Sequence, residues 1–462
     1  MPLTTVALIV ILLAIYGYFL GKRRAWKLAG DGAVAGKLHS LPAYHGSYVA
    51  LWAALPSLVV LLCWSLFGQA IIDQMALYSL PAERLEGADA GKRGLLLATI
   101  KNTAFGGGFA SDDPVIIAAA EYMNSLQASG QWAVGILALA LSLMALAFAA
   151  RHLAPQFQAR HRVERTAQVL MILCSVIAII TTFGIVISLF FESLRFFERY
   201  SIIDFVFGLK WSPQTAIRED QVGSSGAFGA VPVFMGTMLI AAIAMAVAVP
   251  IGLLSAIYLS EYAPSRIRGS VKPVLEVLAG IPTIVYGFFA ALTVAPAFRQ
   301  VGEILGLPVS ANSALAAGSV MGIMIIPFVS SLSDDAIRAV PQSLREGSAG
   351  LGATKSETIR QVIFPAALPG IVGAILLAVS RAVGETMIVV MAAGLSANLT
   401  LNPLEQVTTV TVQIVANLTG DTAFDSAKTL SAFALGFMLF LTTLCLNVMA
   451  ILVVRRYREK YD

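Results

Sequence analysis

The chain has 462 residues and a formal net charge of +4; 58% of its residues are hydrophobic and only 13% are charged. A soluble domain carries roughly 25% charged residues, whereas several uncharged stretches here exceed the ~18 residues that indicate a membrane-spanning helix. The composition therefore excludes an ordinary soluble domain and predicts an all-α polytopic membrane protein, since a β-barrel would show short alternating segments instead.

Nine apolar segments are long enough to cross a bilayer. We expect these spans near residues 3–20, 48–68, 132–150, 167–192, 234–258, 273–298, 311–332, 368–394 and 430–454. The first is predicted to be a retained helix and not a cleaved signal peptide, because its basic cluster GKRR (21–24) follows the apolar run. The cysteines lie in apolar runs and the histidines lack zincin spacing, so no disulfide framework or metal site is predicted.

Lysine and arginine predict the orientation. One set of connections, together with the C-terminal tail, holds 20 of the 31 Lys and Arg residues, and the opposite set holds 10. The basic set comprises residues 21–47, 151–166, 259–272, 333–367 and 455–462. Because basic connections stay in the cytoplasm, we expect the N-terminus outside and the C-terminus inside.

The spans fall into two blocks. Residues 1–150 form a predicted N-terminal membrane extension of about three helices, whose role the sequence does not indicate. Residues 151–166 form a basic cytoplasmic connector, and residues 167–462 form a core of six helices. The division therefore predicts a core with an added membrane module.

The span near 273–298 carries Glu276 close to its predicted cytoplasmic start. A carboxylate there is either an interfacial group hydrogen-bonded between helices or an intramembrane polar site with a role in transport. Pro282 is expected to kink the same helix.

The cytoplasmic connection 333–367 is the most informative polar segment. Its broken helical periodicity, interrupted by Gly350 and Gly352, predicts two short amphipathic helices around a glycine turn. It does not contain a Walker A loop: Gly347 and Gly352 have the required separation, but Ala353 stands where the motif needs lysine. We therefore expect no ATP site of that kind in this chain.

Arg381 and Glu385 interrupt the apolar span 368–394. Each charge disfavours insertion by about 2.5–3.5 kcal/mol. Their spacing predicts that both lie on one helix face, which is otherwise lined by small residues and should therefore face protein. Arg381 is expected near the middle of the membrane. The pair either neutralises itself and fixes helix packing, or Arg381 carries an anion while Glu385 holds the arginine between transport events.

The connection resembles a known motif. Glu346, two small residues, Gly352 and Pro365 have the spacing of the EAA loop of ABC-importer permeases, E-A-A-x3-G-x9-I-x-L-P. Gly347, Ser348, Val362 and Phe364 depart from the usual residues, each to one of similar size or polarity. In that family the loop forms the coupling helix that docks on the ATP-binding subunit, which assigns this role to residues 343–365.

Further stretches resemble the permease subunits of the phosphate importer Pst, most closely the PstC type. They are LSEYAP (259–264), LEVLAGIPTIVYGFF (275–289), IMIIPF (323–328), SRAVGETM (380–387) and GLKWSP (208–213). The resemblance is good over residues 200–395 and extends in outline over 167–455. It implies a type I ABC-importer permease core and a transport role for Arg381 and Glu385 in the pattern R-A-x-G-E.

The resemblance also implies the partners. They are a homologous second permease subunit of PstA type, a cytoplasmic ATPase dimer that binds ATP and Mg²⁺, and a periplasmic phosphate-binding protein that docks on outer connections including 193–233. This chain would need no cofactor, bind no nucleic acid, perform no covalent chemistry and reside in the bacterial inner membrane.

Four alternatives stay open. The chain could be an ABC permease for another oxyanion or small solute, or an ion-coupled secondary transporter that uses Arg381 and Glu385 as a relay. A membrane-embedded enzyme is disfavoured because no nucleophile–base pair or metal cluster stands out. The N-terminal extension could add a regulatory role.

Overall fold

The computed structural model of the chain describes residues 2–29, 38–81, 84, 90–106, 111–215, 225–419 and 425–457. Its contacts divide the chain into two compact units, Met1–Ile179 and Ile180–Asp462. Nine helices of the described residues are long and apolar enough to cross a membrane, which confirms the predicted number. The unit boundary falls inside the fourth of these helices, so the predicted division at residues 150 and 167 stays a prediction.

Unit 1 consists mainly of long helices. They are α1 (Leu3–Ala29), α2 (Pro42–Tyr78), the shorter α3 (Ala90–Phe105), α4 (Pro114–Arg151) and the first part of α5 (Ala159–Phe197). The first, second and fourth pack as a bundle around residues such as Val6, Val10 and Ala138, which are fully buried. Asp113 caps α4, because its carboxylate accepts a hydrogen bond from the Val115 amide at 3.0 Å.

Unit 2 has shorter and more interrupted elements. Its α-helices after α5 are α6 (Ile202–Phe207), α7 (Val231–Ile257), α8 (Ser265–Ala279), α9 (Thr283–Phe289), α10 (Ala295–Leu305), α11 (Ala314–Arg338), α12 (Gln342–Gly350), α13 (Lys355–Thr358), α14 (Phe364–Val383), α15 (Met387–Ala392), α16 (Val410–Leu418) and α17 (Ala427–Tyr457). Three π-helical segments join some of them: π1 (Tyr258–Tyr262), π2 (Ala290–Val294) and π3 (Ile359–Ile363). An antiparallel hairpin of β1 (Trp211–Thr215) and β2 (Ser225–Phe228) precedes α7.

The core of unit 2 lies where α7, α11, α14 and α15 meet, and it contains Val320, Met321, Ile325 and Ile388, all fully buried. Close packing of α7 against α11 depends on Gly318 and Gly322. A Cβ added to Gly318 would lie 2.7 Å from the Ile243 side chain, and one on Gly322 would lie 2.8 Å from the Ala244 carbonyl. This is the small-residue spacing that lets membrane helices approach closely.

Two predicted spans of unit 2 run across a break between helices. The span expected to begin at residue 273 begins at Thr283, because α8 ends at Ala279 and α9 starts after Pro282. Pro282 therefore separates two helices instead of kinking one, as its restriction on the preceding residue explains. The span expected to reach residue 394 stops at Val383, and a separate short helix, α15, follows.

Candidate functional site

Arg381 lies in the last turn of α14, with its guanidinium 5.8 Å from the centre of the Phe328 ring. Phe328 is near the middle of the spanning helix α11, so the guanidinium lies beside the middle of that span. Arg381 is exposed within this chain, and it forms no ion pair with any residue that the structure describes. Its one described contact is the cation–π interaction with Phe328.

Glu385 does not share a helix face with Arg381, so that prediction is wrong. The helix ends between them, and one carboxylate oxygen of Glu385 accepts hydrogen bonds from the amides of Met387 at 3.1 Å and Ile388 at 3.4 Å. Its backbone carbonyl accepts a hydrogen bond from the Thr411 hydroxyl at 2.8 Å. Glu385 thus stabilises the start of α15 and is not the counter-ion of Arg381 in this structure.

Phe328 also lines a cavity of about 230 Å³. Helix α8 supplies Arg268, Lys272 and Glu276 to its lining, and α11 supplies Asp334 and Arg338. Glu276, predicted near the start of a span, thus lies in a separate helix that precedes the span. Three cations face two carboxylates, so the lining has an excess of positive charge.

Asp334 organises the charges of this cavity. Its side chain is only 5% exposed, and its carboxylate lies 3.1 Å from the Lys272 ammonium and 2.6 Å from the Arg338 guanidinium. The hydrogen bond from Lys272 to Asp334 raises the pKa of the lysine, so the lysine stays charged. A buried carboxylate paired to two cations links α8 to α11 at this point.

The segment 343–365 forms the two short helices and glycine turn that were predicted. Helix α12 ends at Gly350, and Gly352 has a φ of +84°, a conformation that favours glycine. Thr354 and Glu357 form a capping box that starts α13. The Ser348 and Thr358 hydroxyls lie 2.9 Å apart, so a hydrogen bond ties the two helices together.

One side of this segment packs against the rest of unit 2, and the opposite side is exposed. Ile359 and Ile363 are buried against the ends of α7 and α11, and Arg345 forms an ion pair with Glu261 in π1. Glu346 and Gly347 are exposed, and so is Pro365 at the start of α14. Leu351 in the turn is 92% exposed, which is unusual for a large apolar side chain.

Sequence reasoning missed Lys272, Asp334 and Arg338. Asp334 and Arg338 are four apart just after a predicted span, in the connection 333–367, a spacing that signals a helical ion pair. Lys272 gave no comparable signal, because it is 62 residues from Asp334 and meets it only through the packing of α8 on α11.

Both units match known protein families. Residues 7–181 match the family described as phosphate ATP-binding cassette transporter. Residues 248–459 match the family described as binding-protein-dependent transport system inner membrane component.

Similar proteins cover half of the chain or more. A probable ABC transporter permease protein of Bacillus subtilis, YqgH, is 32% identical over 300 residues, which are 64% of this chain and 92% of that protein. The phosphate transport system permease protein PstC 1 of Mycobacterium tuberculosis is 32% identical over 284 residues, 56% of this chain and 83% of that protein. PstC of Haemophilus influenzae is 34% identical over 250 residues, 50% and 78% of the two chains.

Among solved structures, an inward-facing MetNI methionine ABC transporter chain matches at 20% identity with a TM-score of 0.37, covering 50% of this chain and 95% of that one. The sequence matches, and not this structural one, show the family. As a transport subunit of that kind, the chain is not itself an enzyme. The chain belongs to the PstC-type inner-membrane permeases of ABC importers, as the resemblance indicated.

Proposed function

We propose that this chain passes inorganic phosphate across the cytoplasmic membrane, with Arg381 as the intramembrane cation of the path. The observation that carries the proposal is the position of the Arg381 guanidinium beside the middle of a membrane span. This guanidinium has no carboxylate partner among the described residues. A charge without a partner is costly in a membrane, which favours a function at that position. The PstC proteins to which the chain is similar are phosphate transport permeases by name.

The chemistry of phosphate fits a guanidinium. Its planar N–H donors can bind two phosphate oxygens at once, and the group stays protonated when water is excluded. A phosphate ion in an apolar passage without a fixed cation would lose its hydration with no compensation. Arg381 therefore lowers the barrier at the least hydrated point.

The cavity that Phe328 lines continues the path. It begins at the ring on which Arg381 lies, and it is lined by Arg268, Lys272 and Arg338. An anion released by Arg381 meets these cations next, and Asp334 limits their attraction because its carboxylate is paired with two of them and offsets one positive charge. Moderate attraction at successive sites lets an ion both enter and leave.

Glu385 acts on Arg381 indirectly in this proposal. Its carboxylate binds the first amides of α15, and α14 ends at Val383, two residues after Arg381. Irregular backbone at membrane depth is tolerated where it is buried in protein or lines a cavity. Glu385 is therefore a positioning residue and not a counter-ion that phosphate displaces.

The segment 343–365 is the proposed docking site of a cytoplasmic ATPase dimer, which would bind ATP and Mg²⁺. Its exposed surface includes Glu346, Gly347 and Pro365. Its fold depends on Gly352 at the turn and on Ser348, which contacts the second helix. ATP-driven movement of this segment would reach the core through Ile359 and Ile363.

With the N-terminus outside, a phosphate-binding protein would dock on connections including 193–233, of which residues 216–224 lie outside the described part. A homologous second permease of PstA type would complete the pore.

The experiment is radiolabelled phosphate uptake in cells that lack their own high-affinity system and that receive this chain with its partner subunits. Wild type, Arg381→Gln and Arg381→Lys are compared at equal membrane abundance. We expect uptake by the glutamine variant to fall at least roughly 100-fold, since it loses a charged partner of the anion, and uptake by the lysine variant to fall less.

ATPase co-purification with each variant is the control for assembly. If the cells take up another solute and no phosphate, the proposed substrate is wrong but the assignment as a permease stands. Uptake that persists without the ATPase would instead favour an ion-coupled transporter.

A further inference from the structure

A groove runs along one face of α2 in unit 1. It encloses about 480 Å³ and is completed by Thr166 of α5. Six α2 residues at helical spacing line it: Tyr48, Leu51, Trp52, Leu55, Pro56 and Val59. From Tyr48 to Val59 the helix rises about 16 Å, roughly half of the ~30 Å hydrocarbon core. The length of the groove therefore matches the thickness of one leaflet.

Aromatic rings mark one end of this groove. The Tyr48 ring lies 4.8 Å from that of Phe157, and the Trp52 ring lies 6.3 Å from that of Phe148. Phe148 in turn stacks on His152 at 4.1 Å. Trp and Tyr collect at the membrane–water interface, so this end lies at headgroup level and the rest extends into the acyl-chain region.

Two arginines that form no ion pair with a described residue lie near the same end. The Arg162 guanidinium lies 5.1 Å above the Phe157 ring, and Arg165 is the neighbour of Thr166 in α5. Both arginines are exposed, and neither forms an ion pair with any residue in the described ranges. Glu164, the carboxylate between them in sequence, is occupied by Arg160 at 2.6 Å. The Thr166 hydroxyl donates to the Arg162 carbonyl, so it adds no unpaired donor to the groove.

We propose that this groove binds one acyl chain of an anionic phospholipid, whose phosphate is bound by Arg162 and Arg165. The apolar stripe fits a chain of one leaflet, and the arginines give charge complementarity to the headgroup. Guanidinium groups bind phosphate oxygens through paired N–H donors. The site would select anionic over zwitterionic lipid and is independent of phosphate passage through unit 2.

The full chain is reconstituted in nanodiscs of unlabelled phosphatidylcholine. A small fraction of a lipid with brominated acyl chains is added, either brominated phosphatidylglycerol or brominated phosphatidylcholine. Bromine quenches nearby tryptophan, and the difference between wild type and Trp52→Phe isolates the signal of Trp52. Each basic residue near an anionic surface favours anionic lipid by about five-fold, so two arginines predict roughly twenty-five-fold preference for phosphatidylglycerol. Arg162→Gln/Arg165→Gln should abolish this preference while quenching by either lipid persists.

The matched control is Lys92→Gln/Arg93→Gln, which removes two exposed cations from α3 and should keep the preference. Equal quenching by both lipids in the wild type would overturn the proposal, and so would an unchanged preference in the double arginine variant. Absence of Trp52 quenching would show that lipid does not fill the groove. Loss of the preference on addition of excess inorganic phosphate would assign the arginines to a free anion instead.

Discussion

In unit 1 the membrane helices are regular α-helices for up to 38 residues, whereas in unit 2 some of the spans contain a π-helical segment. Even Pro56, inside α2, leaves that helix continuous. All three π segments of the described residues lie in unit 2, and so does the break that separates α14 from α15. The same apolar composition therefore supports two kinds of architecture.

The two architectures differ in whether backbone and side-chain polar groups must be satisfied at membrane depth. Unbroken helices satisfy their own backbone hydrogen bonds and need only apolar surroundings. Divided helices expose backbone groups that other parts of the protein must satisfy, as Glu385 and Thr411 do here. In return they place polar groups at membrane depth, which is how transporters form ion sites. Unit 2 therefore has the architecture of a transport path.

The largest expected effect lies at the exposed turn of segment 343–365. Leu351→Asp should weaken ATPase binding roughly thirty-fold and abolish uptake, because a large apolar side chain in a protein interface contributes about 2 kcal/mol or more. Leu351→Met keeps the apolar surface and should behave as wild type. Co-purification of the ATPase with each variant measures this, and normal binding by the aspartate variant would contradict the docking site.

A smaller effect is expected at the break after α14. Glu385→Ala removes the acceptor for the first amides of α15, and a lost cap costs about 1 kcal/mol. Displacement of Arg381 should then lower uptake roughly ten-fold, since small misplacements are costly in a site. Glu385→Gln keeps an acceptor oxygen and should retain most of the uptake. Equal loss in both variants would show that the charge, and not the cap, is what matters.

The next effect concerns stability. Asp334→Asn leaves Arg338 without a carboxylate partner and leaves Lys272 only the exposed Asp335 at 3.7 Å, so it should destabilise unit 2 by about 1–3 kcal/mol. The cost stays in this range because the two cations are 31% and 37% exposed and can be hydrated. The thermal midpoint of the purified protein measures it, with Asp335→Asn, which removes only the exposed partner of Lys272, as the control. Equal midpoints of the two variants would contradict the organising role of Asp334.

The smallest effect is expected in unit 1. Arg84 and the Val115 amide hold the pKa of Asp113 below its usual range. The carboxylate therefore stabilises the fold above its unfolded pKa, and this contribution is lost as the pH falls through the lower, folded pKa. Asp113→Ala should lower the thermal midpoint at pH 7 by roughly 2 °C, less so at pH 3, and leave uptake unchanged. A loss of uptake would extend the transport machinery into unit 1.

Local patterns were predictable from the sequence. The nine spans follow from apolar length, and the two short helices of segment 343–365 follow from periodicity and from glycine at the turn. Gly352 shows why: its left-handed conformation is a property of one residue and needs no distant partner.

Features that depend on distant partners were not predictable. The apolar pattern continues through Gly384, but the helix ends at Val383, and the Glu385 carbonyl that follows accepts a hydrogen bond from Thr411, 26 residues away. The predicted Arg381–Glu385 pairing failed for this reason. The cavity was missed in the same way, since Lys272 and Asp334 come from different helices.

The central claim is that a positive charge at position 381 carries phosphate through the membrane. It is tested most directly by chemical rescue of Arg381→Cys, with Cys63, Cys174 and Cys445 replaced by alanine so that only the new thiol reacts. Phosphate uptake is measured before and after modification by aminoethyl or sulfonatoethyl methanethiosulfonate. The account predicts that uptake is lost in the variant, partly restored by the ammonium reagent and not restored by the sulfonate. Normal uptake by the unmodified variant, or equal effects of the two reagents, would contradict it.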